Sequence, residues 1–516
     1  MTDLEHFINI GLAISSEKKH QVLLEKILKS AKELTNADGG TIYSISADNE
    51  LVFDTILNDS LGIHLGGTSN CAIEYPAIPI YIYGEVNRKA LVAIAAATGE
   101  TINISDVYNT SEYDLTKAKA MDLQSGYHTQ SVLTIPLKDH NNDLIGVLQL
   151  INAQDVTDNI IVFSQELQRL IESLASLAAI ILTNKKLIDD MEELFGSFSK
   201  LIAIAIDRKS PYTGGHCRRV PEITMLLAKA CNDASEGALA DFSMDDEDLH
   251  QLSVAAWLHD CGKIATPESV MDKSTKLETI FDRLELVQAR FEIVARDIYS
   301  SSKLSASDKV IKMKQLESDR DFVCHANIGG EFFTNESVNR VHDIAKNYHL
   351  TIAGKTQSVL SDNEVLNLIT QRGTLTNDER RIINGHMDVT VEMLEALPFP
   401  KHLKDVPEYA CGHHEKMDGT GYPKGLKRDE MSIPARMMAI ADIFEALTAN
   451  DRPYKKAKTI SESLDIMVNM KKFDHIDPDL FDVFVNKKVY LEFAQRFLDK
   501  EQIDTVEFVL NEQVVG

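Results

Sequence analysis

The sequence lacks the features that mark secreted, membrane-spanning and zinc-ribbon proteins. None of its six cysteines forms a CxxC pair, which argues against both a zinc ribbon and a disulfide framework. It has no run of 18 uncharged apolar residues, so we predict no membrane span. Its first residues, Met1 to Glu5, lack the basic start and apolar run of a signal peptide. We therefore expect a cytoplasmic protein.

The sequence is also short of positive charge. It has 53 lysines and arginines against 79 aspartates and glutamates, a formal net charge of -26. Such a surface repels duplex nucleic acid and anionic membranes on average, so we expect neither as a partner. A small anionic ligand stays possible where metal ions and a few local cations hold it. The length of 516 residues suits two or three domains.

The first part of the chain, to about residue 155, has the pattern of an α/β domain. An amphipathic segment at 22–28 predicts a helix, and 41–45 predicts a strand. Two β-rich runs, 131–137 and 144–151, flank the polar turn 140–143 and predict a hairpin.

The stretch SVLTIPLKDHNNDLIGVLQLIN at 131–152 resembles the two central strands of a GAF domain. The resemblance covers about residues 10–155 and implies a sensor domain, 1–160, for a small molecule of unknown identity. The alternative is a GAF-like fold that binds nothing and only dimerises, because a fold does not fix a function.

A long helix is predicted next, as a linker over 161–206. Apolar residues alternate in steps of four and three, with Asn184 as the polar exception, which is typical of a coiled-coil seam. We interpret this segment as a parallel helix of a homodimer that joins sensor to output. The alternative is one long helix packed on its own domain. The seam consists of Leu170, Leu174, Leu177, Ile181, Asn184, Ile188, Met191, Phe195, Phe198 and Ile202.

Five histidine and aspartate sites stand out in the remainder, which is mostly helical by pattern. They are His216, the pair His259-Asp260, His386, the pair His413-His414, and Asp442. Thr376 and Glu379 are spaced as a capping box at the start of the helix with His386, which we expect on one face with Ile382 and Ile383, pointing inward. Alone, each has an ordinary explanation: an inward histidine is usually hydrogen-bonded core, and Asp442 could cap a helix or pair with Arg436. Together they would be costly on apolar helix faces without a common partner, and a metal is such a partner. Histidine and carboxylate ligands suit iron, manganese or zinc.

The spacing of these sites favours two metals rather than one. Neighbouring residues on a helix point about 100° apart, so an adjacent pair reaches two positions more easily than one. Two ions about 3.5–4 Å apart activate water and clamp phosphate oxygens in an in-line displacement at phosphorus.

Four motifs of this region together resemble an HD-GYP domain. They are His259-Asp260 with Gly262-Lys263, then His413-His414-Glu415, then Asp418 through Pro423 with the GYP signature, and Arg452-Pro453-Tyr454. The resemblance covers about 207–490, within an output domain of 207–516. It implies an all-α fold of the HD superfamily and hydrolysis of cyclic di-GMP to pGpG or GMP; some members act on 3′,3′-cyclic GMP-AMP. The expected fold class is therefore multidomain: an α/β GAF-like sensor, a long coiled-coil linker helix and an all-α catalytic domain with a helical insert.

The resemblance also implies roles for individual residues. Two ions of iron or manganese would be held by His216, His259, Asp260, His386, His413, His414 and Asp442, with Asp260 bridging them. His259, Asp260 and Lys263 would be catalytic. Substrate would be contacted by Lys263, Gly419, Gly421, Tyr422, Pro423, Arg452 and Lys455. The alternatives are a solvated surface pair for the last two cations and an ordinary turn for the two glycines.

Three departures from the family pattern matter. Tyr212 stands where members with three metals carry a glutamate, so we predict two metals. An insert, about 278–372, separates the segments 269–277 and 373–379, which look like halves of one connection. It could be a lid, a dimer surface or inert decoration, and His325 or Glu331 in it could replace a missing ligand. The loop 448–451 is one residue longer than usual before Arg452.

Two rival functions stay open at this point. The first is a degenerate domain that senses nucleotide or docks a partner without cleaving anything. The second is an HD hydrolase that acts on another nucleotide, which the sequence Gly421-Tyr422-Pro423 argues against.

Overall fold

The computed structural model describes residues 3–17, 19–210, 215–330, 333–450 and 457–506. The chain divides into two compact units, Met1–Leu194 and Phe195–Gly516. Among the described residues, no helix combines the length and the apolar character that crossing a bilayer requires.

The first unit is built on one antiparallel sheet. Its central order is β3-β2-β1-β9-β8-β7, with β4 paired to β2 and β10 paired to β9. The strands are β1 Ala37–Ile45, β2 Glu50–Asn58, β3 Ile63–Gly66, β4 Ile78–Pro79, β5 Tyr81–Ile82, β6 Glu85–Val86, β7 Ile102–Ile104, β8 Val132–Lys138, β9 Leu144–Gln154 and β10 Ile160–Ile161. The predicted hairpin is β8–β9, with Thr134 opposite Gln149.

The first unit also contains helices. These are α1 Asp3–Ser15, α2 His20–Thr35, α3 Leu91–Thr98, α4 Thr116–Ser125 and the start of α5 Gln165–Lys209. The largest core of this unit joins Leu28 of α2 and Leu174 of α5 to alternate residues of the central strands, such as Leu148 of β9. Apolar residues at every second position thus direct one side of these strands into the core, as in a half-buried strand.

The predicted coiled-coil seam is only partly available for pairing. Leu174 is fully buried and Ile181 packs against the core of the first unit, so this half of the seam is used within the unit. Further along α5, a neighbouring stripe is open: Ile180, Leu187, Met191, Leu194, Phe198 and Leu201 are each at least 46% exposed. The first half of the seam thus packs on its own domain; periodicity reveals an apolar face but not what covers it.

The second unit is helical around one large core. Its helices outside the insert are α6 His216–Asn232, α7 Asp246–Leu258, α8 Glu268–Met271, α13 Asn377–Asn384, α14 His386–Glu395, α15 Val406–Cys411, α16 Ile433–Thr448, α17 Ile460–Lys472, α18 Pro478–Asn486 and α19 Val489–Phe497. Local signals set several starts. Asp245 and Asp248 form a capping box at α7, and Ser432 caps α16 ahead of Pro434.

The insert has a hydrophobic core of its own. It contains α9 Leu284–Ser300, α10 Ala306–Asn327, α11 Asn335–Asn347, β11 His349–Ile352, β12 Lys355–Ser358 and α12 Asp362–Leu368. Val287, Phe291, Val323 and Val341 are buried together there. The β11–β12 hairpin was not predicted; it turns at Ala353-Gly354, both with positive φ, as a two-residue hairpin turn requires.

The segments on either side of the insert contact each other, as expected for two halves of one connection. Lys273 Nζ lies 2.8 Å from each carboxylate oxygen of Glu379, and Thr374 Oγ1 donates to Lys273 O at 2.9 Å. The predicted capping box of Thr376 and Glu379 is present at the start of α13. The insert is therefore added at a closed neck that leaves the surrounding helices in place.

Candidate metal centre

Five elements of the second unit bring the predicted ligands into one cluster. His216 opens α6, His259 and Asp260 follow the end of α7, His386 opens α14, His413 and His414 follow α15, and Asp442 lies in α16. Most ligands thus stand at helix ends, where side chains leave the helix in directions that its interior does not allow.

His386 points inward as predicted, but it does not share a continuous helix with the residues expected beside it. We expected it on one helix face with Ile382 and Ile383, but the helix is interrupted at Gly385, and His386 begins a new one. Ile382 is 47% exposed whereas His386 is 4% exposed. Glycine is a poor helix former, which explains the break that turns the histidine inward.

Asp260 lies at the centre of the cluster. Its Oδ2 is 3.1 Å from Nε2 of both His216 and His259, and 2.6 Å from Nζ of Lys263. Its Oδ1 faces the other way, 3.3 Å from Nε2 of His386. Two groups of potential ligand atoms share this carboxylate, one with His216 and His259, the other with His386, His413 and His414.

Three histidines are fixed in the same way. His259, His386 and His413 each direct Nδ1 to the carbonyl oxygen of the residue three positions earlier, namely Ala256, Ile383 and Ala410. A carbonyl accepts only, so Nδ1 carries the proton and Nε2 keeps its lone pair. Each ring therefore presents an acceptor to the cluster.

The cluster contains more acceptors than donors. Among the described residues, Asp260 Oδ1, His386 Nε2 and His413 Nε2 are buried and have no hydrogen-bond partner. Buried polar atoms without a partner are rare and costly. Acceptors converging from imidazoles and a carboxylate are the donor set that divalent iron, manganese or zinc takes, so the residues fit a metal centre.

Burial and neighbouring charges favour the ligand forms of Asp260, His413 and His414. Burial raises the pKa of Asp260, but its neighbours, above all the ammonium of Lys263, outweigh burial and hold that pKa well below its usual range. Burial lowers the pKa of His414 to about 4 and that of His413 well below its ordinary value. The carboxylate is thus charged and these two imidazoles are neutral, as metal binding requires.

Glu445 supports His216 and was not predicted from the sequence. It is 1% exposed; its Oε2 bonds with His216 Nδ1, and its Oε1 accepts from Arg219 Nε at 2.6 Å. A carboxylate behind a histidine fixes the orientation of the ring and raises its basicity. The signal available was the spacing, since Glu445 lies three residues after Asp442 on one face of α16. Arg436, which the sequence allowed as a partner of Asp442, bonds instead with Asp477.

The turn after Asp260 packs tightly on α14. Gly262 N donates to Thr390 Oγ1 at 3.0 Å, and a Cβ at Gly262 would lie 2.0 Å from His386 O. Lys263 follows in the same 3-10 turn, Cys261–Ala265. A glycine is required at 262 because the backbones of two ligand-bearing elements touch there.

Glu415 binds the backbone of the loop with the GYP signature. This carboxylate, 2% exposed, accepts from the backbone N–H of Lys424, Gly425 and Leu426 at 2.7, 3.1 and 3.0 Å. A Cβ at Gly421 would lie 2.5 Å from Glu415 Cα. The loop thus closes on the residue next to the His413-His414 pair.

Tyr422 brings the same loop against the metal cluster. Its ring stacks on His414 with centroids 4.8 Å apart and planes 27° apart. The Tyr422-Pro423 peptide bond is cis, and Gly419 has a φ of +81°, which a glycine adopts without strain. Gly419, Gly421, Tyr422 and Pro423 therefore lie in one loop beside the ligands.

Several predicted positions lie outside the described residues. These are Tyr212, Arg452, Lys455 and Glu331. His325 is described: it is exposed, its Nδ1 bonds with Asp321 O, and it belongs to neither group of potential ligands. The expectation that His325 could replace a ligand was wrong, because its helix turns the ring to the surface.

Family models match two parts of the chain. The model of the GAF domain matches residues 20–182, and the model of the HD domain matches residues 346–480. The chain carries a GAF domain followed by an HD domain. The HD match begins within the insert, so it includes His386, His413, His414 and Asp442 but not His216, His259 or Asp260. The fold reunites these two sets around Asp260.

Curated relatives match shorter stretches. A probable cyclic di-GMP phosphodiesterase of Vibrio cholerae is 34% identical over 156 residues, 29% of this chain and 35% of the relative. A 3′3′-cGAMP-specific phosphodiesterase of the same organism is 40% identical over 115 residues, 22% of this chain and 24% of the relative. A cyclic di-GMP phosphodiesterase of Pseudomonas aeruginosa is 36% identical over 118 residues, 23% of this chain and 27% of the relative. The chain thus spans about a third or less of the length of these relatives.

Proposed function

We propose that this chain is a metal-dependent phosphodiesterase that hydrolyses a cyclic dinucleotide. Cyclic di-GMP, cleaved to pGpG or GMP, is the first choice of substrate, and 3′,3′-cyclic GMP-AMP is the alternative; both appear in the names of relatives. The observation that supports this most is the set of converging acceptors around Asp260, three of which have no partner among the described residues.

Two ions of iron or manganese would occupy the two groups of ligands. His216 and His259 would hold one ion, and His386, His413 and His414 the other, with Asp260 shared and Asp442 beside His216 at 3.3 Å. When bound, such a pair of ions activates water and neutralises phosphate oxygens.

Other residues of the chain would bind and orient the substrate. Burial lowers the pKa of Lys263, but Asp260 and Asp442 more than compensate and raise it. The ammonium therefore stays charged and would bind a phosphate oxygen. The backbone at Gly419 and Gly421 allows close approach of a nucleotide, with Tyr422 and Pro423 at its edge. Arg452 and Lys455 would contact the second phosphate. The buried histidine rings exclude bulk water, which strengthens each of these electrostatic contacts.

The GAF domain would control this activity from the other end of the linker helix. We propose a division into a sensor at 1–160, a linker at 161–206 and an output domain at 207–516, in a cytoplasmic homodimer. The exposed apolar stripe from Ile180 to Leu201 supports pairing of two copies along the helix.

Product analysis tests the proposal. The protein is purified without oxygen, its iron and manganese are quantified, and it is incubated separately with cyclic di-GMP and 3′,3′-cyclic GMP-AMP. Asp260→Asn, which keeps the side-chain size but removes the shared charge, serves as the inactive control. We expect a linear product from the wild type and none from the variant.

Each outcome decides between the functions considered above. The preferred substrate is the one with the larger kcat/KM. Bound metal without cleavage of either dinucleotide would overturn the proposal. In that case, tight binding of an uncleaved dinucleotide would assign a sensing module, and cleavage of a linear dinucleotide or nucleoside phosphate would assign a different hydrolase.

A further inference from the structure

The last turn of α5 holds the turn that carries Lys263. Lys209 is the final residue of this helix, and its Nζ donates to the carbonyl oxygens of Lys263, Ile264 and Thr266, the last at 2.6 Å. These carbonyls belong to or directly follow the 3-10 turn that begins after Asp260. A single ammonium thus fixes three backbone acceptors next to the carboxylate at the centre of the cluster.

The same helix end also holds the start of α6. Asp207, 7% exposed, accepts from Gly215 N at 3.1 Å with one carboxylate oxygen and from Cys217 N at 3.3 Å with the other. These N–H groups lie on either side of His216, where the first turn of a helix leaves donors free. A carboxylate in that position is stabilised by the positive end of the helix dipole.

The contacts of Asp207 and Lys209 hold the two segments that carry His216 and Asp260. His216 Nε2 is 3.1 Å from Asp260 Oδ2, and the segments that carry these residues are gripped by Asp207 and Lys209, two positions apart. A shift or rotation of the helix end therefore changes the spacing between His216 and Asp260. Neither side chain reaches the ligand atoms itself.

We propose that Asp207 and Lys209 form a clamp through which the end of α5 sets the metal affinity of the His216–His259–Asp260 group. Both are positioning residues. The proposal rests on the proposed function insofar as this group binds a metal. It also names a route of control, because α5 is continuous from Gln165, within the residues that match the GAF domain, to the clamp.

Metal titration of variants of the full chain tests the clamp. Lys209→Met removes the donors but keeps the aliphatic stem, and Asp207→Asn removes the charge but keeps the shape. Arg208→Met is the matched control, because Arg208 is an exposed cation on the same turn. The measurements are the Mn²⁺ affinity by calorimetry and the exchange-coupled signal of paired Mn²⁺ ions by electron paramagnetic resonance.

We expect Lys209→Met and Asp207→Asn to lose about 10- to 100-fold in Mn²⁺ affinity, the usual effect of removing an outer-shell support. Arg208→Met should stay within about twofold of the wild type, and Lys209→Arg, which keeps donors in place, should recover most of the loss. With substrate, kcat should fall more than KM changes, since binding of the nucleotide does not involve the clamp. A role in stability alone would lower the melting temperature of the variants but leave their metal affinity, kcat and KM as in the wild type.

The outcomes separate the clamp from the proposed function. Mn²⁺ binding by the wild type without turnover would overturn the function alone, and the variants would still test the clamp. Equal Mn²⁺ affinities for the wild type, Lys209→Met and Asp207→Asn would overturn the clamp, whatever the turnover. A wild type that binds neither Mn²⁺ nor Fe²⁺ would overturn both.

Discussion

The metal centre and the insert bury charged groups in opposite ways. In the insert, Arg290 Nη1 meets Glu364 Oε2 at 2.6 Å, and Asp319 accepts from Arg340 at 3.0 Å and from Tyr348 at 2.9 Å. These buried carboxylates have their partners within the insert. At the metal centre, three buried acceptors face one another without a donor among the described residues.

This difference separates structural burial from functional burial. A satisfied network repays much of its desolvation cost within the protein and so holds a fold together. A set of convergent acceptors repays its cost only when a cation arrives. It is the unmatched atoms, rather than the burial of charge as such, that distinguish the two regions.

Asp260→Ala should break the comparison most strongly. It removes the carboxylate shared by both ligand groups, so we expect metal content to fall close to zero and activity to fall by at least about 1,000-fold, as for the loss of a central charged group. Elemental analysis and product formation measure the two effects. Asp319→Ala is the matched change in the insert: it should retain the metal but melt at a lower temperature, because Arg340 loses its partner. Loss of metal in Asp319→Ala would show that the two regions are not independent.

Removal of the metal should destabilise the second unit. A ligand that binds only the folded state adds about 4 kcal/mol when its concentration is 1,000 times its Kd. Chelation should therefore lower the melting temperature on the order of 10 °C, which differential scanning calorimetry detects. Asp260→Ala should show no such shift with chelator. An unchanged melting temperature in the wild type would mean that the unpartnered acceptors do not collect a cation.

Glu445→Gln should weaken the metal centre from its periphery. The amide cannot support the His216 ring as a carboxylate does, so we expect a loss of about 10- to 100-fold in Mn²⁺ affinity. Glu379→Gln is the matched change at the neck of the insert, where the carboxylate binds Lys273 and caps α13. That variant should lose stability and keep its metal affinity. Similar metal affinities for both variants would remove the proposed role of Glu445.

Local sequence patterns predicted what local physics decides. The β8–β9 hairpin and the capping box at Thr376 follow from alternation and from residue types a few positions apart. The residues chosen as ligands were recognised through motifs, and the structure brings them together across the insert. None of that required knowledge of long-range contacts.

The features that were missed depend on distant parts of the chain. Glu445 meets a histidine 229 positions away; its spacing from Asp442 places it on the same helix face but does not identify that partner. The α5 periodicity was real, yet Leu174 is buried in a core while Met191 is 69% exposed, because tertiary packing decides which part of an apolar face is covered. The break at Gly385 was missed because the apolar periodicity was followed across a glycine, which is a poor helix former.

Lys276 provides the finest test, because it is the buried charge of the insert region with the fewest partners. It is 1% exposed, its Nζ donates to Leu368 O at 3.0 Å and lies 3.7 Å from the centre of the Phe333 ring, and burial lowers its pKa to about 8. The unfolded chain holds this proton up to a pKa near 10.4, so between these values the unfolded state binds more protons and stability rises with pH. The wild type should gain about 1 kcal/mol over Lys276→Met between pH 7 and pH 9. Denaturant unfolding at both pH values measures this gain. An equal gain in stability between pH 7 and pH 9 in the Lys276→Met protein would assign the pH effect to other groups. Absence of the gain in that protein would show that one charge beside the insert is buried with only part of its desolvation cost offset.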